Sequence, residues 1–209
     1  SDSARTVLEA LLRRCAALGI GIRDQHRVSD IVLTDCGTLD IVHQHGTLRA
    51  ARVVMATGGC SLPRTGSDGG GWEIVRRLGH TVTPTFPALV PLVLQGGFHA
   101  ALSGLSQPVE LSTFADGALI DRRTGSLLWT HFGVSGPVVM DASRHWVIAH
   151  AGAQRVEMRC NFLPGHSFEQ AERLLIDATT LRPRVSMQRL LAERLPDRLA
   201  TALLVAAGV

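Results

Sequence analysis

Apolar side chains recur every three or four positions at Val7, Leu8, Leu11, Leu12, Cys15 and Leu18. This spacing predicts an amphipathic helix that starts after Ser3, stops at Gly19 and buries one face. Ile20 and Ile22 then alternate as in a short strand, so the helix-to-strand order predicts half of a βαβ unit whose first strand is missing. Over residues 28–50 the period shortens to two. Ile31 and Val32, residues 39–42 and Leu48 are separated by Asp35-Cys36-Gly37 and by Gly46, which predicts an antiparallel meander. Residues 52–55, with two β-branched side chains and a Met, read as a buried strand of a parallel sheet. That strand runs into Ala56-Thr57-Gly58-Gly59, at the carboxyl edge where open α/β sheets take ligands.

Six glycines between Arg52 and Trp72 remove the side chains that would keep a ligand from the backbone. Ser67 or Asp68 is placed to cap a helix over residues 70–78, closed by Gly79, and the positive end of that helix would favour an anion. Val82 and Thr83 suggest a further short strand. Pro84, Pro87 and Pro91 mark a stiff crossing between domains. Residues 92–94, 109–114, 118–121, 126–129 and 156–160 read as short antiparallel strands. They are interrupted by Thr130-His131-Phe132-Gly133-Val134-Ser135-Gly136-Pro137, with Pro137 at the first position of a helix through Ser143. Beyond Pro164 the signal is helical. Ser167 to Gln170 has the form of a capping box, Ser186 starts a second helix and Pro196 a third.

Composition narrows the class without choosing a function. A chain of 209 residues with 45% apolar residues can bury a substantial core. The net charge of +3 arises from 21 basic and 18 acidic residues that are interspersed, so no stripe for nucleic acid is expected. No spanning run and no leader pattern at Ser-Asp-Ser-Ala-Arg point to a membrane or to export, and a cytoplasmic protein is expected. Cys15, Cys36, Cys60 and Cys160 have no metal-site or disulfide spacing. The absence of Tyr and of an initiating Met suggests a piece of a longer protein.

Several motifs together carry a resemblance. They are Ala56-Thr57-Gly58-Gly59, then Ser61, Pro63, Thr65-Gly66-Ser67 and Gly69 to Trp72, Gly79-His80, Pro87-Ala88-Leu89-Val90-Pro91-Leu92, and the stretch from Thr130 to Pro137. In these the chain resembles the bacterial NAD(P)/FAD-dependent oxidoreductases described as aminoacetone-oxidase-like or bile-acid-dehydroxylation-type flavoproteins. It is similar to an internal fragment of them. It departs from their pattern at Cys60 and Leu62, where a basic and an aromatic residue are usual, and at Gly70, where Asp is usual. The resemblance implies a partial FAD-binding, Rossmann-like (two-dinucleotide-binding-domain) α/β fold with a β-meander over residues 1–91. It further implies an antiparallel β-rich insert over 92–165 and a small helical subdomain over 166–209. The N-terminal G-x-G-x-x-G unit and a C-terminal return segment would be missing parts of the same fold.

Carried onto this chain, the resemblance implies that the Val28 backbone meets the adenine and that Ala56, Thr57, Gly58 and Gly59 approach the dinucleotide. Ser61, Pro63, Thr65 and Gly66 would lie toward the flavin ring. The plainer readings are a strand-ending turn for Ala-Thr-Gly-Gly and turn stabilisation for the hydroxyls. His131 could protonate a substrate or bridge strand and helix as a structural residue; no catalytic residue is assigned beyond it. His43 and His45 alternate on one strand face but lack further ligands, so no metal is expected. Cys60 reads as a reactive thiolate or as a small filler. The function expected is flavin-mediated hydride transfer between NAD(P)H or an organic substrate and an acceptor, with a small-molecule substrate and no nucleic-acid or membrane partner. The fragment alone is expected to be inactive. The alternative is a non-catalytic ligand-binding or protein-interaction module derived from the same fold.

Overall fold

Two units account for the chain, divided between Pro84 and Thr85. A computed structural model describes residues 3–209; Ser1 and Asp2, part of the stretch searched for a leader, lie outside them. The division falls inside the proline-bearing crossing, seven residues before the boundary expected after Pro91.

Unit 1 opens with α1 (Ala4–Ala17), whose N-cap is Ser3 and whose exit turns through Gly19 at φ 65°. The helix forms where its periodicity places it. Its apolar face is nevertheless open: Leu11 is 61% and Leu8 55% exposed, and no residue of the helix is buried. The meander follows as β1 (Val28–Leu33), β2 (Leu39–His43) and β3 (Gly46–Ala50), paired antiparallel in that order. Thr34 N donates to Thr38 O across the first turn, and Gln44 and His45 make the second.

Three expected strands do not form. Residues 20–22, 52–55 and 82–83 are irregular, with Ile20, Ile22 and Val54 exposed. The physical reason is that a parallel strand exists only through its neighbours. Apolar alternation marks these segments, but among the described residues nothing pairs with them, so the Rossmann-like sheet expected here is not present. Helix α2 (Gly70–Arg77) does form, and Ile74 packs inward. Arg77 fastens it to β1, donating from Nε and Nη2 to Asp30 Oδ1 at 3.1 and 3.0 Å and from Nη2 to Ser29 O at 3.0 Å.

Unit 2 is built on a five-stranded antiparallel sheet ordered β4-β7-β6-β5-β8. Its strands are β4 (Leu92–Val93), β5 (Ser106–Ala115), β6 (Ala118–Thr130), β7 (Gly133–Ser135) and β8 (Val156–Asn161). The two strands expected at 118–121 and 126–129 are one, because pairing with β5 continues across Gly125. A Cβ at Gly125 would lie 3.2 Å from Val138, so the glycine admits helix α3 (Pro137–Ala151) close to the sheet. That helix runs eight residues past the expected end at Ser143. Residues 144–151 are compatible with a helix, and their Ala149 is buried.

Three helices finish the chain: α4 (Phe168–Leu181), α5 (Met187–Ala192) and α6 (Asp197–Ala207). Ser167 and Gln170 form the expected capping box, and Ser186 Oγ accepts from Arg189 N. The helical end is expected as a small subdomain of the β-rich insert. Its Leu195 and Leu199 share one core with Leu102, Val109, Leu127, Trp129 and Val139. Arg198 reinforces the junction by donating to the carbonyls of Ala101 and Ser103.

Candidate functional site

The meander, the irregular segment after it and the start of α2 enclose a cavity of about 510 Å³ in unit 1. Its apolar walls are Val28 and Ile31 from β1, Ile41 from β2, and Val53 and Met55; Ile74 of α2 is a further apolar contributor. Arg23, Gln25, His26, Arg27 and Asp68 supply polar groups, and Thr57, Gly66, Gly70 and Gly71 complete the lining. Residues 53–55 therefore reach the cavity without being a strand.

Two contacts set the geometry. Any Cβ at Gly71 would collide with the Thr57 side chain, so this glycine lets the residues after Met55 lie directly on the first turn of α2. Arg27 Nη2 meets Asp68 Oδ2 at 2.5 Å, and Asp68 Oδ1 accepts from Gly70 N at 3.1 Å. The Gly70 amide, followed by the Arg27 guanidinium, holds the Asp68 carboxyl below its ordinary range. The placement of Asp68 at the start of α2, and the preference of that end for an anion, are met by the chain's own carboxylate. Asp68 already supplies a carboxylate to the Gly70 N–H, and Trp72 N donates to Gly69 O. Two of the first amides of this helix are thus satisfied from within the loop.

Of the nine expected cofactor residues, Val28, Thr57 and Gly66 line the cavity. Ala56, Gly58, Gly59, Ser61, Pro63 and Thr65 belong to the adjoining loop, exposed except for the half-buried Gly59. That loop is organised by its own contacts. Pro63–Thr65 is a turn of 3-10 helix, Thr65 Oγ1 donates to Leu62 O at 2.9 Å and Gly69 N to Gly59 O at 3.2 Å. A Cβ at Gly69 would sit 3.0 Å from Cys60 Sγ and 3.3 Å from the Trp72 ring, so part of the glycine content serves packing. Cys60 is exposed and unpaired.

Sequence reasoning missed Arg23, Gln25, His26 and Arg27. They form an irregular polar stretch between a helix and a strand, with no period to single them out. His26 is the third ring beside His43 and His45, with centroids 4.9 and 4.7 Å away. Among the described residues no group of three His, Cys, Asp or Glu is arranged to hold a metal.

Unit 2 places His131 at the exposed β6–β7 turn, its ring edge-on to Phe132 at 5.0 Å. It bridges no strand to a helix. The glycines of that motif answer to packing. A Cβ at Gly136 would lie 2.8 Å from Leu128 N and Ser126 O, and one at Gly133 would overlap the Leu92 carbonyl. A second cavity, of about 570 Å³, has only uncharged walls, among them Leu111, Leu127, Trp129, Trp146 and Cys160. Burial pushes the Cys160 thiol up to about 12, so this cavity offers shape and apolar surface and no acid–base group near neutrality. No helix among the described residues is long and apolar enough to cross a membrane.

Curated relatives match almost all of the chain. A 3-dehydro-bile acid delta(4,6)-reductase of Clostridium scindens is 28% identical over 98% of this chain and 50% of its own length. Ribosomal RNA dihydrouridine synthases of Escherichia coli and Haemophilus influenzae are 29% and 28% identical, over 97% and 95% of this chain and 48% and 47% of theirs. The chain thus spans about half the length of the curated relatives it matches. The family model described as the HI0933-like protein barrel and H2TH domain matches residues 86–209, the antiparallel sheet and terminal helices of unit 2. The chain belongs to the HI0933-like family.

Proposed function

We propose that the chain is part of an FAD-dependent oxidoreductase that reduces an organic substrate. The observation that carries this reading is the unit 1 cavity, where Val28, Thr57 and Gly66 line one space with an apolar floor and a polar rim. The donor set fits the adenosine end of a dinucleotide. Ile31, Ile41, Val53 and Met55 offer apolar surface to a base beside Val28, and Arg23 offers a cation to phosphate, Arg27 being paired with Asp68. The exposed hydroxyls of Ser61 and Thr65 would face the redox ring. FAD, when bound, supplies the hydride chemistry, with NAD(P)H as donor; the protein positions and shields it.

The names of the relatives support reduction as the direction. One is called a reductase and two are called dihydrouridine synthases, and a dihydro product is a reduced one. A small organic molecule is the substrate class proposed. A uridine held in ribosomal RNA is the second reading, favoured by the names of the two synthases.

The test is the visible spectrum of the whole gene product, purified and then supplied with FAD. Flavin bands that stay with the protein through gel filtration and bleach on adding NADPH or NADH are expected. A colourless protein that retains no added FAD rules the reading out.

A further inference from the structure

The segment that walls the cavity at residues 23–27 is tied to the tip of the β2–β3 hairpin by a cluster of side chains. The His26 ring packs between His43 and His45, at 4.9 and 4.7 Å between centroids with the planes tilted 54° and 51°. The outer two rings are 6.3 Å apart. Gln44 Nε2 donates to the Gln25 carbonyl and lies 3.0 Å from His45 Nε2. His26 Nδ1 is 2.6 Å from Asp24 O, and His43 Nδ1 accepts from the His45 N–H at 3.2 Å. Gln25 is held at φ 54°, a left-handed conformation that a non-glycine residue adopts at a cost and keeps only while its surroundings enforce it.

We propose that this three-histidine cluster is an acid-released latch on the cavity wall. The wall is held while the His43 ring is neutral within the cluster and freed when it becomes charged. Arg23, Gln25, His26 and Arg27 all line the cavity, so releasing the latch loosens whatever ligand the cavity takes. The inference concerns the wall and does not depend on that ligand being FAD.

Three imidazoles in mutual contact cannot all carry a proton without repulsion. The groups that bear on His43 are His26 and Arg23 from the segment before β1 and His45 from the hairpin turn, and each is cationic when charged. Asp24 meets His26 through its carbonyl. Burial, with the neighbouring rings and Arg23 adding to it, lowers His43 from its ordinary value of 6.5. A histidine whose folded value lies below its unfolded one favours the folded, latched form when neutral. The contribution is complete above about pH 6.5 and is lost as the pH falls through that value toward the folded one. The hydrogen bonds also argue against a metal at this place. His43 Nδ1 is already an acceptor, which leaves the proton of the neutral ring on Nε2.

The test is backbone amide exchange of the chain at pH 7.5 and 5.5, corrected for the intrinsic rate, in the wild type and in a variant carrying H26Q, H43Q and H45Q. In the wild type, protection at Val28 and His43, paired where the segment enters β1, is expected to fall between the two pH values, while α3 stays protected. The variant should show no such pH dependence. Equal protection of these two wild-type amides at both pH values, or the same fall in the variant, overturns the proposal. If the variant does not fold, wild-type ring resonances decide. A His43 ring that titrates below its ordinary value of 6.5 supports the latch, and titration at that value refutes it. No flavin is involved, so failure here is separable from failure of the oxidoreductase reading.

Discussion

Units 1 and 2 carry similar apolar patterning and use it differently. In unit 2 the pattern closes on itself. Leu102, Val109, Val139 and Leu199 are completely buried in one cluster to which sheet, α3 and the terminal helices all contribute. In unit 1, among the described residues, only Ile31 and Ile74 of the large apolar side chains are buried, while Val7, Leu8, Leu11, Leu12, Ile20, Ile22 and Val54 stand exposed. Apolar periodicity therefore predicts which face of an element could be covered, and a core appears only where a second face meets it. The unit 1 cavity follows from the same condition. It is bounded by a meander, an unpaired segment and a helix that touch at few points, Thr57 on Gly71 and Arg77 on Asp30 among them.

The cysteines break the comparison open most sharply. Cys36 is exposed in the β1–β2 turn, where contacts with the Thr34 and Thr38 hydroxyls, at 3.1 and 3.4 Å, lower its thiol to about 7. Cys160, in the core of unit 2, is pushed up to about 12. With iodoacetamide at pH 7.5, peptide mapping should show Cys36 modified about a hundredfold or more faster than the buried Cys160, since the thiolate is the nucleophile and its falling basicity offsets part of its larger fraction. Comparable rates would mean that unit 2 is as open as unit 1.

Core truncation comes next in size. Leu199→Ala removes a fully buried side chain and should cost about 2–5 kcal/mol in urea unfolding of unit 2. Leu11→Ala, on the exposed face of α1, should change stability by less than about 0.5 kcal/mol in the same chain. Equal costs would place α1 in a core. Gly71→Ala should destabilise unit 1 by about 1–3 kcal/mol through its collision with Thr57, and Thr57→Gly in the same chain should recover most of that loss. A cycle without recovery would show that the contact is not what docks α2. The smallest effect is Ser167→Ala, which removes the capping box of α4 and should lower helix stability by about 1 kcal/mol.

Legibility in the sequence divided along the same line. The meander could be read because antiparallel strands joined by short turns carry their own partners, as β1, β2 and β3 do. The caps at Ser167 and Ser186 and the stop at Gly19 are local signals and stand in the structure. Residues 20–22, 52–55 and 82–83 were misread as strands because alternation says nothing about whether a neighbour exists. In β6 the run Arg122-Arg123-Thr124-Gly125 reads as a turn, yet Arg123 is held by Asp121 at 2.6 Å and by Asp141 of α3. Val28, Thr57 and Gly66, singled out by the sequence pattern, share the cavity; residues 23–27 carry no such signal, because their placement depends on the tip of a hairpin about seventeen or more residues away.

We propose the unit 1 cavity as the adenosine-side wall of a cofactor site. The direct measurement is a backbone-amide NMR titration of the chain with ADP into the millimolar range, where weak binding by an incomplete site is still visible. The shifts predicted are saturable ones at Val28, Thr57, Gly66 and Gly71, with the unit 2 core resonances of Val109 and Val139 unmoved. Saturable shifts confined to unit 2, or none at residues 23–74, would contradict it.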